Sequence, residues 1–175
     1  MTPPDELRPL ADAAAAGDDR ALEALVRATQ PLVWRTCTLL GSAGEEEDLV
    51  QETYLRALRA LRSYRGEAPV GAWLFAIARN VCADHVRRRA RRTRLVERLR
   101  AQPPGAAASG EADTLEDMLA ALPDERREAF VATQVVGLSY AEAAAAVGCP
   151  VGTIRSRVAR ARHDLVAMVR AAEAQ

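Results

Sequence analysis

Apolar positions along this chain recur at three- and four-residue steps almost everywhere, so the pattern predicts helices. Leu22, Leu25, Val26, Thr29, Leu32, Val33, Cys37 and Leu40 line one face of a helical run over residues 20–40, with Pro31 marking a break or a kink. Gly41-Ser42-Ala43-Gly44 is a turn. The next helix opens on acids, which the positive end of the helix dipole favours, and carries Leu49, Thr53, Leu55, Leu58 and Leu61. Gly66 and Pro69 punctuate a loop over 65–69. A strong helix follows from Val70 to about Arg94, its core face made by Trp73, Ile77 and Val81 with Leu74, Ala78 and Cys82 beside them. Asn80, Asp84, Arg87, Arg88 and Arg91 stack on another face, Asp84 and Arg88 being spaced for an ion pair. Residues 102–112, rich in Pro, Gly and Ala, read as a flexible linker. Beyond it, 115–121 and 123–136 predict two further helices, the second with proline at its first position.

The pattern is sharpest over residues 139–165, SYAEAAAAVGCPVGTIRSRVARARHDL. Ser139 with Glu142 three residues on is a capping-box signature, and the alanines that follow make a slim helix that Gly148 stops. Cys149-Pro150 starts another helix, whose stripe of Val151, Ile154, Val158, Ala161 and Leu165 is the expected buried face. Gly152, Thr153, Ser156, Ala159 and Arg160 fall opposite, with Arg155 and Arg157 on the shoulders. A helix enters the DNA major groove when its leading outward side chains are small or able to hydrogen-bond, and these are both. A guanidinium donating two bonds to guanine contributes about 1–3 kcal/mol of discrimination, while others hold phosphates. The fold class is therefore all-α: two small helical domains joined by a flexible linker, the second a helix-turn-helix. The expected bounds are 10–95, 96–114 for the linker, and 115–172.

Charge changes the picture only when read locally. Formal net charge is zero, but residues 1–52 hold eleven acids against four arginines, and residues 79–100 hold nine arginines against two acids. That polarity implies a basic partner at one end and an acidic one at the other. All 24 basic residues are arginine, a frequency that codon bias explains first, although the guanidinium fork also suits phosphate and guanine. A basic helix behind a loop carrying Tyr64 and Arg65 is what single-stranded DNA requires: cations for the backbone and a flat group for an unstacked base. Asp48, Gln51, Glu52 and Leu55 share a mixed face suited to a basic partner, and the acids beside them also serve the helix dipole.

Catalytic chemistry finds no purchase. GxxxxGK, GxSxG and HExxH are all missing, and His85 and His163 stand alone, so no cofactor or metal is expected. Cys37, Cys82 and Cys149 lie far apart without a CxxC, which excludes a disulfide framework and a zinc ribbon and favours a reducing cytoplasm. No secretory signal or apolar run of spanning length is seen, so no membrane insertion is expected. Two readings stand on these features alone: a dimeric helix-turn-helix repressor or activator, and a helical adaptor.

Three segments in order, EDLVQETYLRAL, YRGEAPVGAWLFAIARNVCADHVRRR and LPDERREAFVATQVVGLSYAEAAAAVGCPVGTIRSRVARAR, resemble bacterial sigma factors of the extracytoplasmic-function group, over nearly the whole chain. The resemblance implies a first domain that docks on the beta-prime clamp helices of core RNA polymerase through Asp48, Leu49, Gln51 and Glu52. It implies that the loop with Ser63, Tyr64, Arg65 and Gly66 captures a flipped base of the minus-ten element. Arg79, Asn80, Asp84, Arg87 and Arg88 would then hold the melted strand. The second domain would read the minus-thirty-five duplex through Arg155, Ser156, Ala159 and Arg160. The partners so implied are core polymerase, including its beta flap, promoter DNA and an anti-sigma factor.

Overall fold

Residues 5–100 and 114–173 are described by a computed structural model, the side chains of 95–100 excepted, and they are helical with no strand among them. Helix α1, Arg8–Ala15, is one that apolar spacing did not announce. Alanine makes a good helix but a faint hydrophobic stripe. Ala11 is nonetheless fully buried, and Leu7, Leu10 and Ala14 pack with it against Leu25, Ala57, Leu61, Val70 and Leu74. The helix ends at Gly17, whose φ of 100° reverses the chain.

Helix α2, Asp19–Leu40, is a single helix, capped by Asp18, whose carboxylate accepts the N–H groups of Arg20 at 2.9 Å and Ala21 at 3.1 Å. Pro31 lies inside it without ending it. Pro31 and Arg27, four residues earlier, are both exposed, so water reaches the carbonyl that proline leaves unpaired. Helices α3, Glu46–Leu61, and α4, Val70–Arg100, pack on α2 around Val33, Cys37, Leu40, Leu49, Phe75, Ala78, Val81 and Cys82. The buried threonines 29, 36 and 53 each return a hydroxyl bond to the carbonyl four residues back, at 2.8, 2.8 and 2.7 Å, so none is left unsatisfied. Cys37 and Cys82, distant in sequence, meet in this core as free thiols, and contact with Cys37 together with burial pushes the Cys82 thiol far up. Helix α4 runs on past the expected end near Arg94, because arginine, leucine and glutamate are good helix formers and nothing in the run breaks it. The proposed linker over 102–112 lies outside the described residues.

Helix α5, Leu115–Ala120, starts at a capping box in which Thr114 and Asp117 bond each other's backbone. Helix α6, Asp124–Phe130, begins one residue after Pro123, and the run expected to continue as α-helix widens into a π segment, Val131–Val135. There Val136 N–H reaches Val131 C=O at 2.9 Å and buries Val131 and Ala132. Helices α7, Tyr140–Val147, and α8, Val151–Glu173, complete the chain.

The two halves share a core. Ala129, Val131, Ala132, Ala143, Ala144, Ile154 and Val158 belong to one continuous buried cluster with Val33, Cys37, Leu40, Phe75, Ala78, Val81 and Cys82. Leu39 of α2 packs against a second cluster of Leu119, Leu122 and Ala161. Among the described residues, one ion pair crosses the join: Arg79 of α4 donates to Glu128 of α6 at 2.8 Å, with the side chains 22% and 17% exposed.

Candidate polymerase and nucleic-acid interfaces

On α3, the three- and four-residue periodicity turns Leu49, Thr53, Ala57 and Leu61 inward. Asp48, Gln51 and Leu55 are exposed and Glu52 is half-buried, forming the mixed face expected of them. Leu49 is not on that face: at 2% exposure it belongs to the core, one turn below Thr53. Leu58, from the same apolar repeat, is 41% exposed and widens the apolar part of the surface around Leu55. Arg56 reaches sideways, bonding Glu52 at 2.7 Å and Asp84 of α4 at 3.0 Å.

The loop after α3 is built rather than slack. Ser63 donates its hydroxyl to Ala60 C=O at 2.8 Å, and Tyr64 donates its phenol to Ala68 C=O at 2.6 Å. The Tyr64 ring lies 4.8 Å from that of Trp73, and Gly66 adopts a φ of 70°. Arg65 and Glu67 are left exposed at the tip.

On α4, Asn80, Arg87 and Arg88 are exposed. The expected Asp84–Arg88 ion pair is not what forms. Asp84 instead takes Arg56 at 3.0 Å and Arg87 at 2.6 Å, while Arg88 Nε donates to the Asp84 carbonyl at 3.3 Å. Two guanidiniums converge on the one carboxylate and leave the third to the backbone. They hold its pKa below the ordinary 3.8, Arg56 contributing most. Arg79 is drawn to Glu128 and so stands apart from the open end of this face. His85 Nε2 lies 2.6 Å from the Glu45 carboxylate, and no cluster suited to a metal occurs among the described residues.

The helix-turn-helix forms as its signals require. Ser139 Oγ accepts the Glu142 N–H at 3.2 Å, Glu142 accepts the Ser139 N–H at 2.7 Å, and Gly148 turns the corner at φ 77°. Ile154, Val158 and Ala161 are buried, but Val151, in the first turn of α8, is 36% exposed. Gly152, Arg155, Ser156, Ala159 and Arg160 face solvent and Thr153 is half-buried. A Cβ on Gly152 would meet nothing within 4 Å, so the glycine bares backbone at an open surface. Arg157 is held differently from its neighbours: it pairs with Glu125 at 2.6 Å and points Nη1 at Cys149 Sγ, 3.8 Å away. A groove of about 360 Å³ runs between Glu125, Arg126, Ser156, Arg157 and Arg160.

Two surfaces, one acidic with apolar centre and one basic beside a rigid aromatic loop, thus sit on the first half, and a groove-entering helix on the second. Residues 25–92 match the family model for sigma-70 region 2, and residues 112–165 that for sigma-70 region 4. The chain belongs to the sigma-70 family. It is 48% identical over 163 residues, 90% of this chain and 88% of the relative, to the ECF RNA polymerase sigma factor SigC of Mycobacterium tuberculosis, which places this sigma factor in the extracytoplasmic-function group. Its fold is similar to that of CnrH, solved in complex with the cytosolic domain of CnrY, with a TM-score of 0.73, 32% identity and coverage of 94% of this chain and 97% of that one. The sigma factor RpoE of Bartonella quintana, solved with the anti-sigma factor NepR, gives a TM-score of 0.71 at 31% identity, covering 85% and 95%. This sigma factor is a promoter-recognising subunit in transcription initiation. No helix among its described residues is long and apolar enough to cross a membrane.

Proposed function

We propose that the sigma factor divides its work among three surfaces. The outer face of α3, Asp48, Gln51, Glu52 and Leu55, docks on the clamp helices of core polymerase, with Leu49 supporting it from inside. The loop of Ser63, Tyr64, Arg65 and Gly66 takes an unstacked minus-ten base, and Asn80, Arg87, Arg88 and, once released from Glu128, Arg79 hold the separated strand. Asp84 orients the arginines on either side of it. The outward residues of α8, Gly152, Thr153, Arg155, Ser156, Ala159 and Arg160, read the minus-thirty-five duplex, and Arg157 braces the helix through Glu125. Residues 10–95 and 115–172 act as the two functional halves. Melting needs no chemistry of the chain's own, since trapping the separated strand supplies the free energy. An anti-sigma factor, such as those bound by the two solved relatives, would cover these surfaces in the bacterial cytoplasm.

The observation that carries the reading is Leu55: an apolar side chain 50% exposed at the centre of an acidic face, on a domain whose other large apolar groups are mostly packed away. Such a face fits a basic helical partner with an apolar ridge. Run-off transcription with core polymerase tests it. Asp48→Arg is expected to abolish specific initiation at only a small cost in melting temperature: Asp48 is exposed and makes no ion pair within the described residues, and what the fold loses is its favourable place in the first turn of α3, about 0.3–1 kcal/mol. Tight binding of the wild-type chain to a duplex operator as a dimer, with core polymerase silent, would turn the assignment to a repressor.

A further inference from the structure

The loop assigned above to the unstacked minus-ten base is not held by its own flanking residues alone. The segment ahead of α1 and the first turn of α1 reach across to it. Asp5 accepts the first N–H of α4, that of Val70, at 2.7 Å, fixing the point where the loop re-enters helix. Arg8 does more. Its Nε bonds both oxygens of Asp12, at 2.8 and 2.9 Å, which sets the plane of the guanidinium. Nη2 then donates to the Arg65 carbonyl at 3.3 Å, and Cζ stands 5.3 Å from the centre of the Tyr64 ring. The contact is so close that a Cβ added to Gly66 would fall 1.0 Å from Arg8 Nη1. Glycine at 66 therefore admits the guanidinium as well as the positive φ.

We propose that Arg8, clamped by Asp12, is a positioning residue for the base-capturing loop: it preorganises Tyr64 and Arg65 and so sets how strongly the sigma factor prefers one minus-ten base over another. This rests on the assignment of the loop to the unstacked base. The side chain is 37% exposed, so it remains open to a ligand lodged in the loop, and it adds a fixed positive charge beside the aromatic ring. Discrimination between bases depends on holding the loop in one shape, because a loop free to adopt others can remodel around a poorly fitting base, whereas a preorganised one leaves that base with clashes or unpaired groups.

The test uses full-length sigma factor with core polymerase on four promoters that differ only at the extruded minus-ten base. Initiation rates for wild type, Arg8→Ala, Arg8→Lys, Asp12→Asn and Tyr64→Ala are compared, with affinity for core polymerase measured alongside. For Arg8→Ala the ratio between the best and worst base is expected to fall about fivefold, at unchanged affinity for core. Arg8→Lys keeps the charge but not the planar fork, and is expected to recover the overall rate without the ratio. Asp12→Asn, which loosens the clamp, should lie between. If Arg8→Ala lowers all four rates equally and Arg8→Lys restores them, the residue supplies charge alone and the proposal is overturned. If Tyr64→Ala flattens the preference while Arg8→Ala leaves it intact, the loop assignment stands and the role of Arg8 fails. If Tyr64→Ala leaves the preference unchanged, the loop assignment itself fails, and this proposal with it.

Discussion

A single carboxylate does much to arrange the basic helix. Asp84 sits among arginines, and its two ion partners come from different places: Arg87 from its own helix and Arg56 from α3. Through Arg56 it ties α4 to α3. Its pKa lies below 3.8 in the folded protein because both guanidiniums favour the charged form, Arg56 foremost. A depressed folded pKa contributes stability that is present above the unfolded value and is lost as pH falls through the folded one. Wild-type protein is therefore expected to lose melting temperature between about pH 5 and pH 3 by more than Asp84→Asn does. Thermal melts of the two proteins across that range check it, and equal slopes would remove Asp84 from the acid response. The carboxylate is 38% exposed, so solvent and salt weaken the effect, and added salt should narrow the gap between the variants.

At the scale of elements, the helix-turn-helix is where sequence and structure agree most closely, because local chemistry settles it. The capping box at Ser139, the left-handed Gly148 and the apolar stripe of α8 each act within a few residues. Gly148→Ala meets no neighbour within 4 Å, so its cost is the φ of 77° alone, about 1 kcal/mol. A fall in melting temperature with minus-thirty-five reading retained at low temperature is the expected result. An unchanged melt would mean that the corner relaxes into another turn. Elements whose cause is tertiary were not legible. Helix α1 is rich in alanine, whose hydrophobic signal is faint, yet buries Ala11 completely, because α2 and α3 come close enough to need a small side chain there. The π segment follows from packing of Val131 and Ala132 into the shared core, which no local pattern announces. The pairing of Asp84 with Arg56 rather than Arg88 needed α3 beside α4. The same holds at the candidate sites: the faces of α3 and α8 could be read by helical arithmetic, whereas the reach of Arg8 over 57 residues to Arg65 could not.

At the scale of the whole molecule, the two halves close on each other, and promoter reading requires that they part. A chain of 175 residues folded on one core has a radius of gyration of about 16 Å. The two promoter elements lie about 25 base pairs apart, which at 3.4 Å per pair is about 85 Å along a straight duplex. One closed body does not span both. The shared apolar cluster resists separation, and the Arg79–Glu128 pair adds a polar tie that also occupies one of the arginines proposed to hold the strand. On the function proposed above, core polymerase exchanges these contacts for its own, and the free protein is expected to bind DNA weakly. Glu128→Gln removes the carboxylate charge and keeps Arg79 intact. With both side chains less than a quarter exposed, the loss should be about 1–2 kcal/mol, close to tenfold in the balance between closed and open forms. Small-angle X-ray scattering of the free variant is expected to show a larger radius of gyration than wild type. Its affinity for a minus-ten single strand should rise by up to about tenfold, as both the closed form and the competitor for Arg79 are weakened. Unchanged scattering with stronger strand binding would locate the whole effect in Arg79. If neither quantity changed, the apolar cluster alone would hold the halves together.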